Sequence, residues 1–200
     1  MKKIFLFFVS LLVFTGVVFC QQQVYITSIE KTSANEYSIT LNNLVVIKEI
    51  KLKKTKIGQR EIFNLEFPTY ISKAGKAYPQ VTILSKDLNE KILKAITTQT
   101  PETMPENVGE MSFKINKYSP YKRSKSALKV FASVVFSDAV EIECKIMEGK
   151  KGPWVSWPSR KDETSGKWKK QVVFKSKDYQ KKVEEELLAK YKVGKVEANE

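Results

Sequence analysis

No histidine occurs among the 200 residues, so the chain lacks the side chain that most often serves as a general base near neutrality and as a metal ligand. No cluster of cysteines or carboxylates at ligand spacing takes its place, and the sequence implies neither metal nor cofactor. Cysteine is almost absent, with Cys20 and Cys144 as the two. Cys20 ends an apolar N-terminal run, which leaves Cys144 with no partner in a processed chain and rules out an internal disulfide there. Small exported folds often lean on such bridges, so packed sheets must hold this one, and Cys144 reads as a small buried hydrophobe. Ser133, Ser137 and Ser159 have no imidazole to activate them, and the acids Glu184, Glu185 and Glu186 fall on a helix where lysines and solvent account for them. The expectation is a protein that is not an enzyme.

What is present begins with Met1-Lys2-Lys3, followed by an apolar stretch from Ile4 to Cys20 and then the polar Gln21-Gln22-Gln23. A basic start and a short apolar run are the marks of a secretory signal, placing a signal peptide at residues 1–20 and the mature protein in the periplasm, at the cell surface or outside the cell. Lipidation of Cys20 and an uncleaved membrane anchor are the alternatives. The formal net charge is +13, and removing Lys2 and Lys3 leaves the chain strongly basic. Such a field draws nucleic acid, anionic headgroups or acidic wall polymers without choosing among them, and solubility alone also accounts for lysine-rich surfaces.

The chain also repeats itself. Gly75-Lys76-Ala77-Tyr78-Pro79-Gln80-Val81-Thr82-Ile83-Leu84-Ser85-Lys86-Asp87 returns as Gly166-Lys167-Trp168-Lys169-Lys170-Gln171-Val172-Val173-Phe174-Lys175-Ser176-Lys177-Asp178, with Gly, Lys, Gln, Val, Ser, Lys and Asp identical. Upstream, Phe67-Pro68 matches Trp157-Pro158, and Glu49 to Leu52 matches Glu143 to Ile146, with an insertion around Thr55 to Gln59 in the first copy. A period this long signifies tandem domains rather than a solenoid. The organisation expected is repeat 1 at residues 24–97, a linker rich in Pro and Gly at 98–110, repeat 2 at 111–192 and a tail at 193–200.

Alternation of apolar and polar residues predicts strands over Val24–Ile29, Glu36–Leu41, Val45–Leu52, Ile62–Phe67 and Tyr78–Leu84. Leu88, Ile92 and Ile96 share one face of a following helix that Ser85 or Asp87 caps. The second copy repeats the plan and ends on a helix from Asp178 to Tyr191 with Val183, Leu187 and Tyr191 on its apolar stripe. The fold class expected is α+β: two tandem small domains, each an antiparallel sheet followed by a C-terminal helix, packed as a pseudo-dimer that hides sheet edges.

Phe136-Ser137-Asp138-Ala139-Val140, the Gly149 and Gly152 turn, Trp154-Val155 and especially Trp157-Pro158-Ser159-Arg160-Lys161 with Gly166 give the second copy a resemblance to the SpoVG family, the stage V sporulation or septation proteins. The first copy is similar but degenerate, carrying Thr69-Tyr70-Ile71 where the second has Ser159-Arg160-Lys161. The resemblance implies a non-enzymatic sheet-and-helix domain that dimerises through its strands, influences septation or sporulation, and in several members binds DNA or RNA.

The densest candidate site is Arg160, Lys161, Lys167, Trp168, Lys169 and Lys170, since basic side chains attract phosphates and exposed aromatics stack on bases. The contrary reading has Trp157 in the core and the lysines merely solvated. A further basic patch surrounds Tyr121, at Lys122, Arg123 and Lys125. Two functions follow: an exported module gripping an anionic polymer or a protein partner in the envelope, or a regulator that binds DNA or RNA. The partner set includes a pseudo-dimer between the repeats or a homodimer.

Overall fold

The computed structural model describes residues 23–123 and 125–197. The expected signal peptide, Cys20 and residues 198–200 lie outside that range. One succession of elements occurs twice. The first half runs β1 (Ile26–Ser33), β2 (Glu36–Leu41), β3 (Val45–Ile57), β4 (Arg60–Glu66), β5 (Thr69–Ile71), β6 (Ala77–Pro79), β7 (Val81–Ile83) and α1 (Lys86–Thr98). The second runs β8 (Phe113–Pro120), β9 (Leu128–Phe136), β10 (Val140–Gly149), β11 (Gly152–Ser156), β12 (Ser159–Lys161), β13 (Trp168–Lys170), β14 (Val172–Phe174) and α2 (Lys177–Glu197). The class is the α+β arrangement expected, with antiparallel sheets and a helix closing each half.

The tight turns are the same in both halves. Asn42 and Asn43 join β2 to β3 with both φ positive, and Ser137 and Asp138 do the same between β9 and β10. Two consecutive positive φ angles make the mirror-image turn whose twist matches the flanking strands, and Asn and Asp accept it most readily among residues with a Cβ. Each helix is capped by serine: Ser85 Oγ accepts the Leu88 N–H at 3.2 Å and Ser176 Oγ the Tyr179 N–H at 3.1 Å. Serine thus takes the capping position that Asp87 was a candidate for.

The seventh strand of each half joins the sheet of the other. β1, β2, β3 and β4 form one sheet, whose β3 is completed by β14 with Val172 opposite Ile47. β8, β9, β10 and β11 form the second, completed by β7 with Val81 opposite Ile142. Each single strand expected at the end of a copy is therefore broken in two. Gln80 donates its N–H to the Pro68 carbonyl and Gln171 to that of Pro158, each at 2.8 Å, so the chain leaves a short hairpin, β5 with β6 or β12 with β13, and crosses over. A Pro and a Gln at matching places in the two halves mark this departure point. A proline frees no N–H of its own, but its carbonyl still accepts.

Because the strands are exchanged, the buried side chains form one cluster. Ile39, Ile47 and Ile92 of the first half are continuous with Val134, Ile142 and Val183 of the second. Phe136, Phe174 and Tyr179 pack ring against ring where the halves meet, with centroids 6.1–6.3 Å apart, and the Tyr179 hydroxyl donates to the Met111 carbonyl at 2.8 Å. Cys144 is buried, and burial pushes its thiol up to about 12. α1 turns Leu88, Ile92, Ala95 and Ile96 inward. α2 buries Tyr179, Val183, Leu187 and Tyr191 and then continues to Glu197, past the expected end near Tyr191. No proline stops it, and Gly194 keeps a helical backbone. The segment between the halves has no regular structure but is tied down: Glu102 exchanges hydrogen bonds with Ile26 through its own N–H and its carboxylate.

Candidate functional site

The basic hairpin of the second half is built around one turn. Asp162 Oδ1 accepts the N–H and hydroxyl of Ser165, at 2.7 and 2.9 Å, and Gly166 takes φ +66°. Asp162 also pairs with Lys169. That ion pair and the two Ser165 hydrogen bonds hold its carboxyl well below the usual range. The turn brings β12 and β13 together with Arg160 opposite Lys169 and Lys161 opposite Trp168.

Residues directly opposite in an antiparallel pair share a face, and neighbours along a strand alternate. The hairpin therefore sorts the six residues singled out in the sequence. Lys161, Trp168 and Lys170 share one face, where Trp168 is 70% exposed. Arg160 and Lys169 share the other, and both have internal partners. Arg160 Nε donates to Glu49 Oε1 at 2.6 Å, while Gln171 Nε2 donates to Glu49 Oε2 at 2.8 Å. Hydrogen bonding to this carboxylate stabilises the guanidinium charge. Lys167, next to the turn, is exposed, and among the described residues Lys161, Lys167 and Lys170 form no ion pair.

Glu49 comes from the other half and from an irregular point in its strand. Two residues of β3, Lys48 and Glu49, stand against Ser38 of β2 where the register shifts, and Glu49 takes φ +60°. This is a β-bulge whose extra residue occupies a conformation that glycine usually fills. A left-handed glutamate costs on the order of 1 kcal/mol. Its two hydrogen bonds across the halves offset that strain. The hairpin and this part of the first sheet enclose a groove of about 380 Å³ lined by Thr32, Ser38, Lys48, Lys169 and Lys170, with Glu36 and Glu49 at its acidic side.

The corresponding face of the second sheet carries a closed polar network. Ser133 Oγ donates to Glu141 Oε1 at 2.6 Å, Asn116 Nδ2 to the same oxygen at 2.9 Å, and Lys117 Nζ bridges Glu141 and Glu143 at 3.1 and 2.9 Å. Burial alone would raise the Glu141 carboxyl, but these hydrogen bonds outweigh it and leave it below its ordinary value. Ser38 stands where Ser133 does, and its buried hydroxyl has no hydrogen-bond partner among the described residues.

Trp157, the other aromatic of the motif, packs on Phe174 at 4.8 Å and donates its indole N–H to Glu184 at 2.8 Å. It is a core residue, and Glu184, which the sequence alone assigned to solvent, is its partner. Sequence reasoning gave Glu49 no role beyond its place in the repeat, although the bulge leaves a mark: the apolar phase slips from Val45 and Ile47 to Ile50 and Leu52.

Residues 111–193 match the model of the SpoVG family, as a single copy. The first half is not part of the match, and no curated protein or solved structure matches the chain.

Proposed function

We propose that this protein is a non-enzymatic, SpoVG-related binding module, connected with septation or sporulation, that grips an anionic polymer through Lys161, Lys167, Trp168 and Lys170. The observation that carries the reading is Trp168, 70% exposed among three lysines that form no ion pair among the described residues. An indole held in water by a rigid hairpin serves no core, and its counterpart in the first half is Ala77, so the fold does not require it. Arg160, though half-exposed, is engaged within the molecule: its bond to Glu49 ties the hairpin to the other half. The matching order of elements supports the first half as a diverged copy of the second. In this reading it supplies the second sheet with which, as the resemblance implies, such a domain pairs.

An envelope polymer is the first ligand class, in keeping with the basic and apolar N-terminal residues, which favour export. Nucleic acid is the second, favoured by the exposed indole, because a flat ring stacks on bases. Titrating the processed protein with heparin, as a generic acidic polymer, and with nucleic acid across a salt series tests the binding reading. Lys161→Ala combined with Lys170→Ala should weaken binding at least tenfold and flatten its salt dependence. Unchanged affinity would overturn the assignment. For export, mass spectrometry of the N-terminus in fractionated cells should find Met1 to Cys20 removed; intact Met1 in a cytoplasmic fraction would contradict it.

A further inference from the structure

Ser38 and Ser133 hold the same place in β2 and β9, but only the second half supplies a carboxylate for its serine. Ser133 donates to Glu141, which Asn116 and Lys117 also hold. Glu141 lies opposite Val135 of β9 and Thr82 of the exchanged strand. The residue in that register of the first half, opposite Thr40 and Val173, is the half-buried Val46. It stands diagonal to Ser38 on the same face of the sheet, as Glu141 does to Ser133. The first half thus keeps the serine and replaces the carboxylate by an aliphatic side chain. Ser38 is 3% exposed, and its hydroxyl has no hydrogen-bond partner among the described residues. Glu30 stands across from it in β1 but is exposed and does not bond to it. Buried hydroxyls are nearly always bonded, so one that is not marks a place where a group from outside can bond.

Ser38 lines the groove of about 380 Å³ between the first sheet and the basic hairpin, and that groove surrounds it with charge. Lys48, from the bulge, donates its N–H to the Gln171 carbonyl at 2.8 Å, which fixes its backbone beside the exchanged strand and leaves its side chain exposed. On the acidic side Glu36 accepts the Thr32 hydroxyl at 3.3 Å. Glu49 is already engaged by Arg160 and Gln171, and Lys169 by Asp162. Lys48, Lys170 and Glu36 are therefore the charges of the groove that form no ion pair among the described residues.

We propose that this groove binds a small zwitterion, a molecule with one carboxylate and one ammonium, the chemistry of a free amino acid or a short peptide. Its carboxylate takes the role that Glu141 has in the second half, accepting the Ser38 hydroxyl and pairing with Lys48 or Lys170. Its ammonium pairs with Glu36. The groove is large enough for a molecule of that size, and its acids disfavour a polyanion, so the site goes beyond the hairpin reading in both place and ligand class. The Ser38 hydroxyl is covered, and the ligand meets it as the exposed side chains of Glu30 and Lys48 swing aside, a motion such side chains make within nanoseconds. The site exists only because the halves exchange strands, which brings Lys170 and Val173 of the second half against the first sheet.

The test is an NMR titration of the processed chain with alanine, alanylalanine, propionate and ethylamine, followed at the backbone amides of Ser38, Lys48 and Gln171. A zwitterion should saturate these shifts at millimolar concentration, alanine if the ligand is a free amino acid and alanylalanine if it is a peptide. Propionate and ethylamine, each with one of the two charges, should bind about tenfold more weakly or not at all. Ser38→Ala and Lys48→Ala should each weaken zwitterion binding about tenfold. Val46→Glu supplies the carboxylate from the protein itself and should abolish binding. In that background Ser38→Ala should lower the urea midpoint, which it does not do in the wild type. Failure of both zwitterions to saturate, propionate binding as tightly as the better zwitterion, or unchanged affinity in Ser38→Ala with circular dichroism intact would overturn the site. Heparin keeps the two surfaces apart, since Ser38→Ala should leave heparin affinity as in the wild type. A protein that binds a zwitterion but not heparin keeps the groove and loses the hairpin reading; one that binds heparin but no zwitterion does the reverse.

Discussion

Arg160 and Tyr70 occupy the same register of the two short hairpins, yet Arg160 reaches a carboxylate of the opposite sheet and Tyr70 receives an ammonium from it. Glu49, which meets Arg160, is the extra residue of a bulge that β10 lacks at the matching place. The halves share what builds the sheets and helices and differ in what ties each hairpin across. Because both halves lie in one chain, each contact has to suit only one neighbour, and one side has an ion pair where the other has a cation over a ring. The difference teaches that pairing between the halves is heterologous in its chemistry although it is symmetric in topology.

Several variants bear on this comparison, beginning with those that test whether the halves are separable at all. Ile47 and Ile142 lie opposite the exchanged strands and are fully buried. Either one changed to alanine should cost roughly 3 kcal/mol, and chemical denaturation should show a single transition that shifts as a unit. Two transitions, each sensitive to one variant, would show that the shared core does not couple the halves.

The paired serines come next. Ser133→Ala removes a donor from the buried Glu141 carboxylate and should destabilise by about 1–3 kcal/mol, whereas Ser38→Ala deletes an unpartnered hydroxyl and should be neutral or slightly stabilising. Equal losses at the two sites would mean that Ser38 has a partner in solution. Across the halves, Glu49→Gln should cost about 1 kcal/mol, since Glu49 is mostly buried but Arg160 is half-exposed and screened by solvent. Tyr70→Ala should cost only about 0.5 kcal/mol, the value of an exposed cation–ring contact. A reversed order would undo the ranking of the two latches.

Acid sharpens the contrast between the serines. The Glu141 carboxyl is held below its ordinary value in the folded state, so the stability it contributes is present above the unfolded glutamate value of about 4.3 and is lost as pH falls toward the lower folded value. The deficit of Ser133→Ala relative to wild type should therefore narrow below about pH 4, as read from urea midpoints; a deficit independent of pH would remove Glu141 as its cause. The smallest effect belongs to Trp168→Ala, expected to leave stability within about 0.5 kcal/mol because the ring touches little, while Trp157→Ala should be clearly destabilising through its packing on Phe174 and its bond to Glu184.

Local physics made much of the fold legible. The strands β2 and β3, the serine caps and the stripes of Leu88, Ile92 and Ile96 and of Val183, Leu187 and Tyr191 stand where pattern and capping place them, the bulge at Glu49 apart, because each depends on residues a few positions apart. The match of residues 111–193 to the SpoVG family agrees with the motif around Trp157 and Gly166. The candidate site was only half legible. Spacing gathered Arg160, Lys161, Lys167, Trp168, Lys169 and Lys170 into one loop, but the pairing of β12 with β13 divided them between two faces. Tyr70 passed for part of a degenerate motif and Tyr78 for the start of a strand.

The amino-acid sequence by itself determined the strands, the turns, the helix caps and the recurrence of one plan in two halves, since these follow from side-chain period and backbone preference over short distances. Which sheet β7 and β14 would complete, that Glu49 would bulge toward Arg160, and that Tyr70 would come to lie over Lys145 were decided only by the tertiary structure. A strand's alternation specifies which face is buried but not its neighbour, and the neighbour was chosen by how two incomplete sheets best close each other's edges and bury one common core.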